Sequence, residues 1–362
     1  MKLSTLSYKS NELELDNISF EDVNLIVGKN AIGKSRTLAA IDFIAKAINQ
    51  KSNLVPSQEC SVIFKSIKGD TVKYEFRIYK NALTVHDESL SINGVTYLER
   101  EDSGKARIKN VLNNEFEVVY PPSTKLVIQT NRDTQKYPYF EELVLWAEQS
   151  FGFRFGSINP EKPYSKLEYN LLTSVDEIPE LYKSLIDSDI FIEKKIISDL
   201  NTIGFDIDMI HLQKVENVKL DFLFIREQGI QNLIPFNYLS QGLFRSLSLL
   251  IFIEFLIAQR QPASIVIDDF CEGLDYERAT KLGKLVFEKC LENNIQLITT
   301  SNDSFLMDVV ELKYWNVLQR NGAVVTSVNI KSNPILFSDF KFTGLSNFDF
   351  FASDYIAQKN KA

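Results

Sequence analysis

Two glycines five positions apart, followed at once by a lysine and a serine, make the stretch GKNAIGKS at residues 28 to 35. It matches G-x-x-x-x-G-K-[ST] in full, a pattern that average residue frequencies would place by chance in a chain this long on the order of one per cent of the time. The apolar run VNLIV stands directly before it, and RTLAAIDFIAKAINQ behind it carries apolar residues at helical spacing. Strand, glycine turn and helix in that order are the surroundings a phosphate cradle requires. Gly28 and Gly33 let backbone N–H groups turn inward without a Cβ in the way, and the following helix offers its positive end. Lys34 is then placed to neutralise β- and γ-phosphates and Ser35 to hold Mg²⁺.

Two further stretches bear on the same chemistry. In SIVIDDFCEGLD an apolar strand ends in acids, so Asp268 is the candidate Mg²⁺-side carboxylate. Asp269 could orient or deprotonate an attacking water, with Glu272 in reserve. Alone, paired acids after a strand read as a solvated loop or a helix cap; behind an intact phosphate loop the catalytic reading takes over. LSQGLFR, residues 239 to 245, opens a long apolar helix with Ser240 as its N-cap, and Gly242 stands 26 residues before Asp268.

Phosphate loop, LSQG, IDD and GLD in that order resemble the ATP-binding-cassette class of ATPases, specifically its soluble branch with SMC, RecF and the OLD-like ATPases. VGKNAIGKS, with Asn30, is similar to that branch, some of whose members serve in bacterial phage-defence operons. The resemblance covers roughly residues 1 to 60 and 219 to 330. It implies an α/β P-loop NTPase of ABC type: a mixed sheet with helices on both sides, a β-hairpin lobe and a helical lid. Gly28, Asn30, Gly33, Lys34, Ser35 and Arg36 would bind ATP, and Ser35, Asp268 and Gln129 would face Mg²⁺. Lys34, Asp269 and Glu272 would carry the catalysis. Ser240, Gln241 and Gly242 would act on ATP held by a second subunit, with Asp275 lining that head-to-tail contact. Two positions depart from the class. Asp269 stands where glutamate is usual, which implies slow hydrolysis or nucleotide sensing. After LITT the chain reads SNDS in place of a phosphate-sensing histidine, leaving Ser301, Asn302 or Asp303 to substitute, or the role vacant.

At 362 residues the chain suggests two domains or one with a large insertion. The expected organisation is a nucleotide-binding part over 1–130 with a β-rich lobe at about 60–122, a helical insertion over 131–218, a second nucleotide-binding part over 219–330 and an aromatic tail over 331–362. Within it, KLVIQT (125 to 130) reads as a buried strand ending near Gln129, YFEELVLWAEQSF as helix, and GKARIKN, with Lys105, Arg107 and Lys109, as a solvated loop. The tail segment FSDFKFTGLSNFDFF is a candidate docking or oligomer surface, or else covers its own sheet edge. No sustained heptads are present, so a long coiled-coil arm is not expected.

The net charge of -8 argues against a broadly basic nucleic-acid face. Three scattered cysteines fit a reducing compartment, and two histidines are too few for a histidine-built metal site. The amino terminus shows no apolar leader, and LSLLIFIEFLIA (247 to 258), interrupted by Glu254, reads as a buried helix rather than a membrane span. The expected protein is therefore a cytoplasmic ATPase that forms a homodimer or higher homo-oligomer around Mg-ATP and acts through a separate effector protein. No nuclease module is expected after residue 300. The alternative is a DNA-binding repair or chromosome-maintenance ATPase; nucleic acid is not the favoured partner.

Overall fold

Val23–Val27 is buried at every residue, and strand alternation divides its side chains between two cores. Val23, Leu25 and Val27 join one cluster, and Ile26 joins the other. The same division recurs at Ile265 and Ile267 against Val266, and at Leu297 against Ile298. A sheet that is apolar on both faces must be covered on both. The computed structural model describes residues 1–49, 57–79, 84–101, 104–154, 178–189, 191–215, 220–353 and 355–356. In it, the helices Lys34–Ile48 and Pro138–Glu148 pack on one face. Ile178–Ser188, Ile192–Ile203, Gln241–Gln259 and Tyr276–Glu292 pack on the other.

Five strands run parallel in the spatial order Ser150–Arg154, Ala263–Asp268, Ile295–Thr300, Val23–Val27 and Trp315–Asn321. Beyond them lie Val324–Val328 and Glu14–Ser19. An antiparallel meander then runs through Lys2–Lys9, Gln58–Lys65, Thr71–Ile78, Val85–Ile92, Val95–Arg100, Ala106–Asn110 and Glu115–Val119, which completes a fourteen-stranded mixed sheet. A second sheet holds Ile207–Val215, Leu220–Glu227 and Ile234–Pro235.

The long apolar helix Gln241–Gln259 would pass for a membrane span by length and composition, but it lies in the core with most of its residues buried. Glu254 inside it receives Lys289 at 2.6 Å and Lys195 at 2.7 Å.

Three local expectations are corrected. Residues Val127–Thr130 are a short helix, not a strand. The cause is non-local: the buried Glu88 carboxyl group accepts from the N–H groups of Val127 at 2.6 Å and Ile128 at 3.3 Å, which satisfies two of the free N–H groups of a helix start. The helix after Pro138 ends at Glu148, and Ser150–Arg154 becomes a strand through its parallel partner Ala263–Asp268. GKARIKN is not a loop, because Ala106–Asn110 forms a strand with Ala106 and Ile108 buried. The aromatic tail folds onto its own chain: Phe337, Phe340 and Phe350 are buried with Trp315, while Phe342 stays exposed.

Candidate functional site

The phosphate-loop stretch leaves the C-terminal end of Val23–Val27 and enters the helix that Lys34 begins. Gly33, the residue before that helix, has φ +127, a conformation closed to most side chains. At Gly28 a Cβ would come within 2.8 Å of Ile32 Cγ2. Lys34 is 7% exposed, and its Nζ donates to the carbonyls of Gly28 at 2.7 Å and Lys29 at 3.4 Å, across the loop. Burial lowers its affinity for the proton, opposed by the charges of Asp269 and Asp268. Asn30 is exposed at the loop tip, and Arg36 pairs with Glu12 at 3.0 Å on the first turn of the helix. The hairpin strand Trp315–Asn321 adds Arg320, whose Nη1 donates to the Ala31 carbonyl at 3.0 Å.

Asp268 ends its strand two sheet positions away, and two side chains converge on it. Ser35 Oγ donates to Asp268 Oδ1 at 3.1 Å and Thr300 Oγ1 donates to the same oxygen at 2.7 Å. The Asp269 N–H in turn donates to Thr300 Oγ1 at 2.9 Å. Asp269 itself sits at φ +50, outside the usual range for a residue with a Cβ. Its carboxyl is held above the usual aspartate range, first by burial and then by the charges of Asp268 and Glu272, with Lys34 and Arg245 opposing. Thr300 was not among the candidates read from sequence, although it ends the quoted strand LITT.

The LSQG stretch and the GLD turn form one packed unit. Ser240 caps its helix, its Oγ accepting from Leu243 N at 3.4 Å, and Ser240 and Gln241 stay exposed. Gly242 is buried under the turn, where a Cβ would lie 2.7 Å from Leu274 Cδ2. Arg245, one turn further along, pairs with the Glu272 carboxylate at 3.3 Å. Asp275 caps the next helix, accepting from Arg278 N and Nη1, each at 3.0 Å. Among the described residues, neither Ser240 nor Gln241 bonds to residues 28–35 of its own chain.

One candidate lies elsewhere. Gln129 donates from Nε2 to the Ala47 carbonyl at 2.5 Å, near the far end of the helix that Lys34 begins, about 20 Å of helix rise away. Its reading as an Mg²⁺-facing residue is corrected: the run that carries it is a short helix bonded to the far end of Lys34–Ile48, not a strand ending beside the acids. On the side away from Ile295–Thr300 the strand beside Asp268 is Ser150–Arg154, with Arg154 in register with Asp268; the chain beyond it lies outside the described residues. After Thr300, Ser301 Oγ donates to the Phe270 carbonyl at 3.4 Å and Asp303 caps the helix Ser304–Val309. Asn302 is exposed and, among the described residues, has no side-chain partner.

No protein-family model matches the chain, and no curated protein matches it. Solved structures do. An SMC head bound to the C-terminal winged-helix domain of ScpA is 15% identical, with a TM-score of 0.56 over 91% of this chain and 97% of that one. The Smc head domain of Pyrococcus furiosus, with an extended coiled coil and the C-terminal domain of ScpA, is 13% identical, with a TM-score of 0.56 over 94% and 99%. The chain therefore has the fold of SMC head domains.

Proposed function

We propose that the chain is an ABC-type ATPase that binds Mg-ATP at residues 28–35 and closes head-to-tail on a second copy. The observation that carries this reading is the convergence of Ser35 and Thr300 on Asp268 beside Lys34. Oxygens alone, with a single carboxylate, suit a cation that keeps waters and phosphate in its shell. Ser35 and Asp268 would hold Mg²⁺, which supplies charge to the β- and γ-phosphates. The loop's backbone N–H groups and the start of the following helix bind the phosphate chain. Lys34, now held by loop carbonyls, exchanges them for phosphate oxygens. Asp269, its proton affinity raised, accepts the proton of the attacking water, and ADP and phosphate leave. Glu272 is the reserve for that role, but it is engaged with Arg245. Ser240 and Gln241, exposed at a helix N-terminus, are free to meet the γ-phosphate of the other copy.

The nucleotide state would regulate a separate effector, as in the phage-defence ATPases that the motif order resembles. A second reading, a chromosome-maintenance or repair ATPase, is supported by the likeness to SMC heads. Strong, salt-sensitive stimulation of turnover by DNA favours the second reading, and flat turnover removes it.

Light scattering on wild type and Lys34→Ala, with and without Mg-ATP, tests the core proposal. Wild type should double its mass with Mg-ATP while the variant does not, and Asp269→Asn should hold the dimer. Wild type that binds ATP with no change in mass would refute the head-to-tail reading.

A further inference from the structure

The last strand of the meander, Glu115–Val119, pairs with Ala106–Asn110 on one side and, among the described residues, with nothing on the other. Such an edge is usually protected by charge, proline or a covering element. Here Glu115 and Glu117 lie on the inner face, and the outer face carries apolar groups. Phe116 and Val118 share the outer face with Lys109 and Arg107 through the pairs Lys109↔Phe116 and Arg107↔Val118. Val118 is 49% exposed, and Tyr120, next in the alternation, 76%. Pro121 and Pro122 follow and end any further pairing.

We infer that this edge pairs antiparallel with the same edge of a second copy, independently of nucleotide and apart from the head-to-tail contact proposed above. Period-two alternation allows only registers that keep outer residues opposite outer residues. Centring on Glu117 would set two carboxylates face to face, which is unfavourable. Centring on Val118 sets valine against valine, Phe116 against Tyr120 of the second copy, and Glu117 against Val119. Aromatic and β-branched cross-strand pairs are the favourable kind. The charges also fit this register. Each aromatic pair is flanked by cations, with Lys109 beside Phe116 at one end and Lys105 beyond the Ala106–Val119 pair at the other. In the central row the Arg107 guanidinium is paired with Glu99 and lies 5.7 Å from the Phe116 ring centre. Glu117 on the inner face is held by Asn110 at 2.7 Å and Lys136 at 3.3 Å, so no unpaired like charges meet.

Disulfide trapping reads the register directly, because the three native cysteines are all buried. The full chain carrying Lys34→Ala and Val118→Cys, oxidised without nucleotide, should give a covalent dimer, since facing Cα atoms in an antiparallel pair lie within disulfide reach. Phe116→Cys alone should not cross-link to itself, whereas Phe116→Cys mixed with Tyr120→Cys should. In light scattering, Lys34→Ala should dimerise with concentration, and adding Val118→Lys should weaken that by about tenfold or more. A chain that stays monomeric at high concentration with no Val118→Cys dimer overturns the inference. So does a Glu117→Cys dimer in its place, or an edge that binds only an added acidic peptide.

Discussion

Thr300 holds Asp268 by a 2.7 Å hydrogen bond from its hydroxyl, and the same oxygen receives the N–H of Asp269 at 2.9 Å. One side chain thus orients the candidate metal-side acid and fixes the backbone of the candidate base in its left-handed conformation. Thr300→Val keeps the shape and removes both bonds. Losing a hydrogen bond to a charged group costs about 1.5–3 kcal/mol, so phosphate release should fall about 10- to 100-fold, with a raised Mg²⁺ requirement. Thr300→Ser should retain most turnover. Equal turnover in the valine variant would leave Thr300 a packing residue only.

Gly242 packs against Leu274 where the helix Gln241–Gln259 meets the GLD turn. A Cβ at Gly242 would stand 2.7 Å from Leu274 Cδ2 and 3.2 Å from the Gly273 carbonyl. Overpacking of this kind costs about 1–3 kcal/mol. Gly242→Ala should lower the melting temperature and abolish the ATP-dependent mass change. Adding Leu274→Ala makes room and should restore the melting temperature, which differential scanning fluorimetry would show.

How much of this was legible in sequence depends on the range of the interactions. Gly28 to Ser35, Asp268 and the cap at Ser240 are read from neighbours in the chain, and the structure places each at the expected end of its strand or helix. Gln129 was misplaced because VIQT is too short and apolar to choose between strand and helix. The choice is made by Glu88, about forty positions away. Ser150 and Phe151, the start of the strand Ser150–Arg154, read as the end of a helix for the same kind of reason: the strand character comes from Ala263–Asp268, more than a hundred positions on. Lys105, Arg107 and Lys109 look like a solvated loop until Ala106 and Ile108 are seen to be buried between them. Thr300 and Arg320 act at the site only through contacts that cross the sheet.

Glu88 also sets a pH dependence. Burial pushes its carboxyl up to about 7, against the hydrogen bonds from Val127, Tyr74 and Ile128 and the charge of Arg100. In the unfolded chain a glutamate ionises near pH 4.3. Between those values the folded state holds a proton that the unfolded state has lost, so stability falls as pH rises through the window. The contribution is fully present below about pH 4.3 and gone above about pH 7, a change of ~4 kcal/mol. Urea titrations from pH 5 to 8 should show this slope in wild type, and Glu88→Gln should flatten it.

The ion network at Glu254 separates a cost of burial from a gain in stability. Glu254 lies 2% exposed on the helix Gln241–Gln259. Lys289 of the helix after GLD reaches it at 2.6 Å and reaches Asp199 at 2.9 Å, while Lys195 closes the set at 2.7 Å. Three helices are therefore tied at one point. Removing one partner of a buried pair leaves an uncompensated charge, at a cost of about 3–5 kcal/mol. Glu254→Ala should destabilise by about that much in urea, and Lys195→Ala, half exposed, by less than about 1 kcal/mol. Replacing the buried pair together, Glu254→Leu with Lys289→Met, should recover most of the loss, since well-packed apolar groups often match a buried ion pair. If the double variant folds as stably as wild type yet no longer changes mass with Mg-ATP, the network's role is to hold the helix Gln241–Gln259 in register with the helix after GLD. If its mass change is intact, the four charges serve stability alone.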